Sequence, residues 1–388
     1  MHEPTPAPSI CLTDQQTLHD TMIVGKHHIP LTANGYRCQT DDLWRLLLAA
    51  AARHTTIEAA CADLTGAPDA TTVRGYLNEQ LPVAAIPELE QQWNDLLRSL
   101  IPHWLCARPH EIALDFHDEP YYGREQADDP NNWVCRGEAR AGTTRFYRCA
   151  TAYLVLHDVR LTLAVVFVKP KMDKVAILTR LLSALKTAGI AIKCLYADKG
   201  FCCIPVIRYL SRRRIPAIIA MPIRGKQAGS RKLCRGPKSY RTTYMLQSHA
   251  YGNLSVPVAV VRTYQRRRSG QRQLRWLLYV CLHVGGPLVR IRQRYRHRFG
   301  IETGYRLMEQ VRARTTSSNP ALRFLLMGVA LLIVNMWIRL HWLYLRLPGR
   351  GPRRVARWRF RLERMTGFLT RAIERFYGVV TSVSPVPI

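Results

Sequence analysis

Three carboxylates in this sequence have the types and settings needed for phosphate chemistry. Asp115 lies near the end of "EIALDFH", Asp198 closes "IAIKCLYAD", and Glu302 sits in "YRHRFGIETGYRLMEQ". Glu302 is the first acid after Asp198, and the 103 residues between them hold 23 Lys or Arg. Hard oxygen donors of this kind suit Mg²⁺ or Mn²⁺ rather than a thiol-loving metal. Two such ions, roughly 3.5–4 Å apart, would activate a water or a 3′-hydroxyl and stabilise the leaving oxygen of an in-line phosphodiester displacement. Each residue also has an ordinary alternative. Asp115 can be a solvated strand-end acid like Asp118 and Glu119, and Asp198 can cap the turn at Lys199-Gly200. Their order along the chain, beside so much arginine, favours the chemical reading.

Positioning them requires a particular set of elements. "EIALDFH" alternates, with Ile112, Leu114 and Phe116 on one face and Asp115 on the other, which predicts a strand. "ATAYLVLHD" and "RLTLAVVFV" read as a hairpin turning at Asp158-Val159. "KVAILTRLLSALKTAG" is a helix ended by Gly189, with Asp173 at its start. A buried strand ending at Asp198, the helix "IPVIRYLSRRR" and the strand "IPAIIAM" follow. If the first and fourth strands are neighbours, Asp115 and Asp198 come side by side across 83 residues. A long helix starting near Val289 then carries Glu302. Positions 295, 298, 302, 306 and 309 fall near one face of such a helix. Arg298 and Arg306 would flank the carboxylate and hold phosphates by charge-assisted bonds, and Tyr295 would stack on or hydrogen-bond to a nucleic-acid strand. The alternative is that these arginines neutralise Glu302 and Glu309 within the helix.

Residues 222–287 are rich in Gly, Arg and β-formers and predict a β-rich insertion. Its "YQRRRSGQRQLRW" places Arg266, Arg267 and Arg268 close to Trp276, a pairing suited to backbone tracking and base stacking. Residues 1–40 read as a flexible leader and 41–106 as a helical domain. In that domain Thr55 and Glu58 have capping-box spacing and Asp69 can cap a following helix. Helix, turn, helix there fits either a DNA reader or plain helical packing, since Arg74 is the one base on the third helix. Residues 107–346 form the domain that carries the carboxylates, and 347–388 a basic amphipathic helix and tail. "FLLMGVALLIVNMWI" (324–338) runs 15 residues, short of the roughly 20 needed to span a bilayer, and predicts a buried core helix.

The totals agree with this division. The chain has 388 residues and a formal charge of +30, and 23 of its 27 acids lie at or before Asp198. The rear half is therefore a polyanion-binding surface, and nucleic acid is the leading polyanion. A hydrophobic content of 47% excludes a disordered chain. Eleven cysteines without a CxxC pair, two of them adjacent at 202–203, read as reduced and structural in a cytoplasmic protein.

At this point "ALDFHDEPYYG" resembles the first-aspartate motif, and "YADKGF" the second, of insertion-sequence transposases of the DDE type. Tyr295-xx-Arg298-xxx-Glu302 is similar to the tyrosine-arginine-glutamate signature of a cut-and-paste subgroup with a β-rich insertion. The likeness covers roughly residues 107–346. It implies an α/β fold: a ribonuclease-H-like mixed sheet with flanking helices, interrupted by the insertion, plus an N-terminal all-helical domain and C-terminal helices. The implied activity is metal-dependent cleavage at transposon ends and strand transfer into target DNA. Asp115, Asp198 and Glu302 would hold two Mg²⁺ or Mn²⁺ ions. DNA contacts would come from Lys199, Trp276, Arg266, Arg267, Arg268, Tyr295, Arg298, Arg306 and Arg312, with Trp276 as the insertion-domain tryptophan that stacks on a flipped base. A homodimer assembled on DNA and a prokaryotic, nucleoid-associated location follow from the same resemblance. Two alternatives remain: a domesticated DNA-binding descendant, and a ribonuclease-H-like nuclease or resolvase without strand transfer. One position departs from the signature. Where the subgroup has Lys seven residues after the glutamate, this chain has Glu309, so Arg306, Arg312 or Arg314 supplies the missing charge or the contact is absent.

Overall fold

The computed structural model describes residues 11–125, 129–156, 159, 161–266, 270–347 and 354–382. They fall into two compact units, one from 102 to 304 and one combining residues up to 101 with those from 305 onward.

The second of these units is helical. It begins with α1 (Asp14–His28), a short ladder of β1 (Asn34–Gly35) and β2 (Cys38–Gln39), then α2 (Thr40–Ala52), α3 (Ile57–Ala62), α4 (Ala70–Gln80) and α5 (Ile86–Ser99). Helix α1 corrects the expected leader over residues 1–40. Its inward face includes Thr17 and Thr21, whose hydroxyls donate to the carbonyls of Thr13 and Thr17. A polar sequence can be buried this way because its side chains satisfy themselves on the helix backbone. The Trp44 ring of α2 lies against Gly25 of α1, where a Cβ would come within 2.5 Å of it. Thr56, not Thr55, caps α3, its hydroxyl accepting from the Ala59 amide, and Asp69 caps α4 as expected. Arg74, the one base of α4, pairs with Glu58 at 3.0 Å.

The other unit is built on one nine-stranded sheet. Its strands are β3 (His110–Pro120), β4 (Val134–Arg140), β5 (Thr143–Leu154), β6 (Thr162–Val168), β7 (Ile192–Ala197), β8 (Ala217–Met221), β9 (Tyr240–Ser248), β10 (Gly252–Arg266) and β11 (Arg272–Leu282). The spatial order is β4-β5-β3-β7-β8-β11-β10-β9, with β6 also paired to β5. Strands β3, β7 and β8 are mutually parallel; β5 runs antiparallel to β3, and β6, antiparallel to β5, points the same way as β3. Two crossover helices, α6 (Lys174–Thr187) and α7 (Ile204–Arg212), link the parallel strands. Near-continuous apolar runs such as Thr162–Val168, buried at every position, mark strands covered on both faces.

Three expectations need adjustment. β4 carries no clear strand pattern in its sequence, because its outer half, "GEAR", is polar and at least partly exposed. The β-rich segment 222–287 joins the main sheet: β11 pairs with β8, so its three strands extend it. The long helix from Val289 is broken into α8 (Leu288–Arg296), a 3₁₀ turn at His297–Phe299 and α9 (Gly300–Gln310). The hairpin turn residue Asp158, together with Arg267 and Arg268, lies outside the described residues.

The helical unit closes with α10 (Pro320–Tyr344) and α11 (Leu362–Tyr377). At 25 residues α10 is longer than its apolar core suggested and is long and apolar enough to cross a membrane, yet nearly all of it is buried in this unit. Gly328 lets it approach α5, for a Cβ there would sit 1.9 Å from the Trp93 ring. Arg323 and Asn319 finish its N-terminus: Arg323 donates to the Ser317 and Thr315 carbonyls, and the Asn319 side chain accepts from Ala321 and Leu322. Helix α11 is tied to the turn after α3, where the Gly66 amide donates to the Tyr377 carbonyl and Arg53 bridges Asp63 and Glu374.

Candidate active site

Strand register brings the two aspartates together. In the parallel pair β3–β7, Leu114 lies opposite Ala197, so Asp115 and Asp198 follow at neighbouring positions of adjacent strands. The backbone leaves β7 at Asp198 through a 3₁₀ turn, with the Phe201 amide donating to the Asp198 carbonyl at 2.9 Å. Fully buried Phe201 stacks on Phe116 with ring centroids 4.5 Å apart and planes within 8°. The residue after one aspartate is thus packed on the turn that follows the other. A Cβ at Gly200 would press on the Phe116 ring at 3.2 Å, so the contact is tight.

Helix α8 is anchored across the same strand ends. Arg294 donates to Glu111 at 3.3 Å and to the Tyr196 hydroxyl at 3.1 Å. Tyr295, 4% exposed, donates to the carbonyl of Ala197 at 3.2 Å and packs on Tyr279. This corrects the expected DNA contact: the Tyr295 ring and hydroxyl are committed to the core, directly behind Asp198. Burial pushes its hydroxyl's pKa well above the ordinary tyrosine range.

The following turn delivers Arg298. A 3₁₀ turn advances its residues by ~20° more per step than an α-helix, which rotates this side chain inward. Its guanidinium is within 2.6 Å of Asp115 (Nη1 to Oδ2), 3.8 Å of Asp198 and 3.5 Å of Glu302 (both from Nη2). Arg298 is only 6% exposed, so here it is a counter-ion to the three carboxylates and not the free phosphate donor expected from the helix face. Burial pushes the Asp115 carboxyl up to about 6, with the charge of Arg298 pulling the other way. Exposure rises from Asp115 through Asp198 to Glu302, whose side chain is 46% accessible. Gly304, two residues beyond, faces Tyr153 of β5, where a Cβ would approach the ring to 3.1 Å.

Among the described residues no three His, Cys, Asp or Glu side chains are spaced as a ready metal cluster. The three carboxylates meet instead on a guanidinium, which marks their point of convergence as a place where positive charge is held. Their donor chemistry, three hard carboxylates, fits Mg²⁺ or Mn²⁺.

The remaining candidates are scattered. Lys199 is exposed beside Asp198. Arg306 and Glu309 are exposed on α9. Arg312 is half-buried, its carbonyl accepting from the His54 ring at 2.8 Å. Trp276 is half-buried opposite Arg262, and Arg266 is exposed opposite Arg272. These last residues form an arm. Because Leu278 pairs with Met221, the last residue of β8, the stretches 262–266 and 272–276 run past the sheet at the end that bears the aspartates. Register gives the arm one face made of Arg262, Trp276, Tyr264, Leu274, Arg266 and Arg272. Tyr264, 54% exposed, adds an aromatic to this face, a placement the alternation in "RTYQR" already implies. No signal in the sequence pointed to the Arg294–Glu111–Tyr196 cluster.

A sheet with this strand order, carrying Asp115 and Asp198 where the parallel pairing of β3 with β7 ends, defines a ribonuclease-H-like domain. The sequence matches the family model described as "Transposase DDE domain" over residues 127–336, more than half of the chain, a span that includes Asp198 and Glu302 but not Asp115. The chain belongs to this family of DDE transposases, and membership implies DNA cleavage and strand transfer. The fold is similar to that of the piggyBac transposase in a cryo-EM synaptic complex with hairpin DNA. The TM-score is 0.53 at 8% identity, covering 98% of this chain and 84% of that one, so the likeness is one of fold. No curated protein matches the sequence.

Proposed function

We propose that this transposase cuts DNA at the ends of a mobile element and joins the freed ends to a target, using Asp115, Asp198 and Glu302 as ligands for divalent metal. The observation that carries the reading is the convergence of these three side chains, from three separate segments, on the Arg298 guanidinium. When bound there, a pair of Mg²⁺ or Mn²⁺ ions would activate the attacking hydroxyl and stabilise the leaving oxygen. The chain's own residues supply position and charge. The Phe116–Phe201 stack holds the two aspartates at a set separation, and Tyr295 braces the strand end behind Asp198. Lys199, exposed at the mouth, offers an ammonium to the phosphate being attacked. The arm carries DNA away from the site, with Arg266 and Arg272 on phosphates and Tyr264, beside half-buried Trp276, offering a face to an unpaired base. Joining two ends at once calls for at least two copies of the chain on DNA.

A strand-transfer assay with Mg²⁺ on wild type and Asp198→Ala, with circular dichroism to check folding, tests the reading. Wild type is expected to join ends and the folded variant to lose joining. Retained joining in the variant removes Asp198 from the chemistry. Cleavage without joining identifies a nuclease, and binding without metal-dependent chemistry a DNA-binding descendant.

A further inference from the structure

The three acids of the proposed site share a cation that the chain itself provides. Both terminal nitrogens of Arg298 face carboxylates, at 2.6, 3.5 and 3.8 Å, and the side chain is nearly inaccessible. Its Nε is buried with no hydrogen-bond partner, so one of the guanidinium's five donors goes unused. A side chain placed to satisfy hydrogen bonds would not leave that group orphaned. One placed to neutralise charge can, because attraction to three carboxylates outweighs the lost bond. The guanidinium also lies 5.4 Å from the ring centroids of both Tyr295 and Phe299. Its neighbours on α8 and the 3₁₀ turn therefore fix where it points. Without a cation, Asp115, Asp198 and Glu302 would repel one another in a partly desolvated site, and the turn after β7 and the start of α9 would separate.

We infer that Arg298 is the built-in counter-cation of the active site: it assembles the three carboxylates in advance, and a divalent ion gains them only by displacing its guanidinium. Metal affinity is then set by a competition inside the chain. A site that holds its own cation stays assembled without metal and binds metal more weakly than its carboxylates alone would.

This rests on the reading of the three acids as metal ligands, and the test separates the two. Mn²⁺ binding to the full chain is followed by the electron paramagnetic resonance of free Mn²⁺, and thermal unfolding is measured in EDTA and in Mn²⁺. The proteins are wild type, Arg298→Gln, Arg298→Lys and Asp115→Asn. Arg298→Gln is expected to bind Mn²⁺ about tenfold or more tightly, to melt below wild type in EDTA, and to recover most of the difference in Mn²⁺. Binding no tighter than wild type, or unchanged melting in EDTA, overturns the inference. If Arg298→Gln does not fold without metal, Arg298→Lys carries the test, because a single ammonium cannot span three carboxylates as the guanidinium does. Tighter Mn²⁺ binding by Arg298→Lys than by wild type supports the competition, and equal or weaker binding refutes it. Mn²⁺ binding that ignores Asp115→Asn refutes the metal-ligand reading itself, whereas binding that needs Asp115 but ignores Arg298 refutes only the counter-cation.

Discussion

Replacing Tyr295 by Phe separates a structural anchor from a DNA contact. The ring of Tyr295 is packed on Tyr279 at 4.7 Å and stays in place, so the variant creates no cavity of consequence. What disappears is the hydroxyl's bond at 3.2 Å to the carbonyl of Ala197, the residue before Asp198. The distance is at the long end for an O–H donor, and the acceptor is buried, so the loss should be about 1 kcal/mol. In a unit of roughly 200 residues that corresponds to a fall in melting temperature of about 2–4 °C. Strand transfer should fall by a few-fold, because the end of β7 that sets Asp198 has lost its brace, while affinity for end DNA stays at the wild-type value. Calorimetric melting and a gel-shift titration on the same preparation read both quantities. Wild-type melting together with a tenfold loss of DNA affinity would place the hydroxyl on DNA and refute the anchor.

Gly328→Ala should lower the urea midpoint of the helical unit by the equivalent of about 2–3 kcal/mol, because the new methyl falls within 1.9 Å of the Trp93 ring and the gain in helix propensity is only about 1 kcal/mol. Unchanged stability there would mean that α5 and α10 do not pack at Gly328. Gly200→Ala should cost less than about 1.5 kcal/mol yet reduce strand transfer at least tenfold, since its methyl presses on Phe116 beside Asp115 at 3.2 Å; full activity with normal melting would uncouple that stack from the chemistry. Stability should also fall as the medium is acidified. His341 and His110 are buried, desolvation holds their pKa values below the usual 6.5, and each ring bonds a backbone carbonyl. The unfolded chain therefore takes up protons first, so their contribution is intact above about pH 6.5 and is lost as pH falls through the lower folded values. Urea unfolding at about pH 7.5 and 5.5 checks this, and His341→Gln should lose less on acidification than wild type.

Most of what forms locally was legible. Alternation in "EIALDFH" and the apolar runs of the later strands marked β3 and β5 to β8, because a strand buried on one or both faces imposes its period on its own residues. The pairing of Asp115 with Asp198 could be stated as a condition from sequence, since one lies near the end of a predicted strand and the other closes one. Glu302 was legible through contrast, as a single acid in a run of arginines. Helix α1 was not, because its buried face sets only Leu18 and Met22 among threonines whose hydroxyls are satisfied along the helix, too narrow an apolar stripe to stand out. Nor was the role of 222–287 as an extension of the sheet, since strand partners are chosen by register over distance rather than by composition.

The side chains of the signature helix divide in the same way. Sequence alone established which residue types stand one turn apart at 295, 298 and 302, and that a cation and an anion would face the same way. Tertiary structure decided what they touch. Packing against Tyr279 and Ala197 drew Tyr295 into the core, and the 3₁₀ turn at His297–Phe299 swung Arg298 onto three carboxylates that arrive from β3, the turn after β7, and α9. Helical spacing is a property of neighbouring residues and can be read along the chain. The field that an arginine meets is the sum over charges brought together by folding, and only the folded chain contains it.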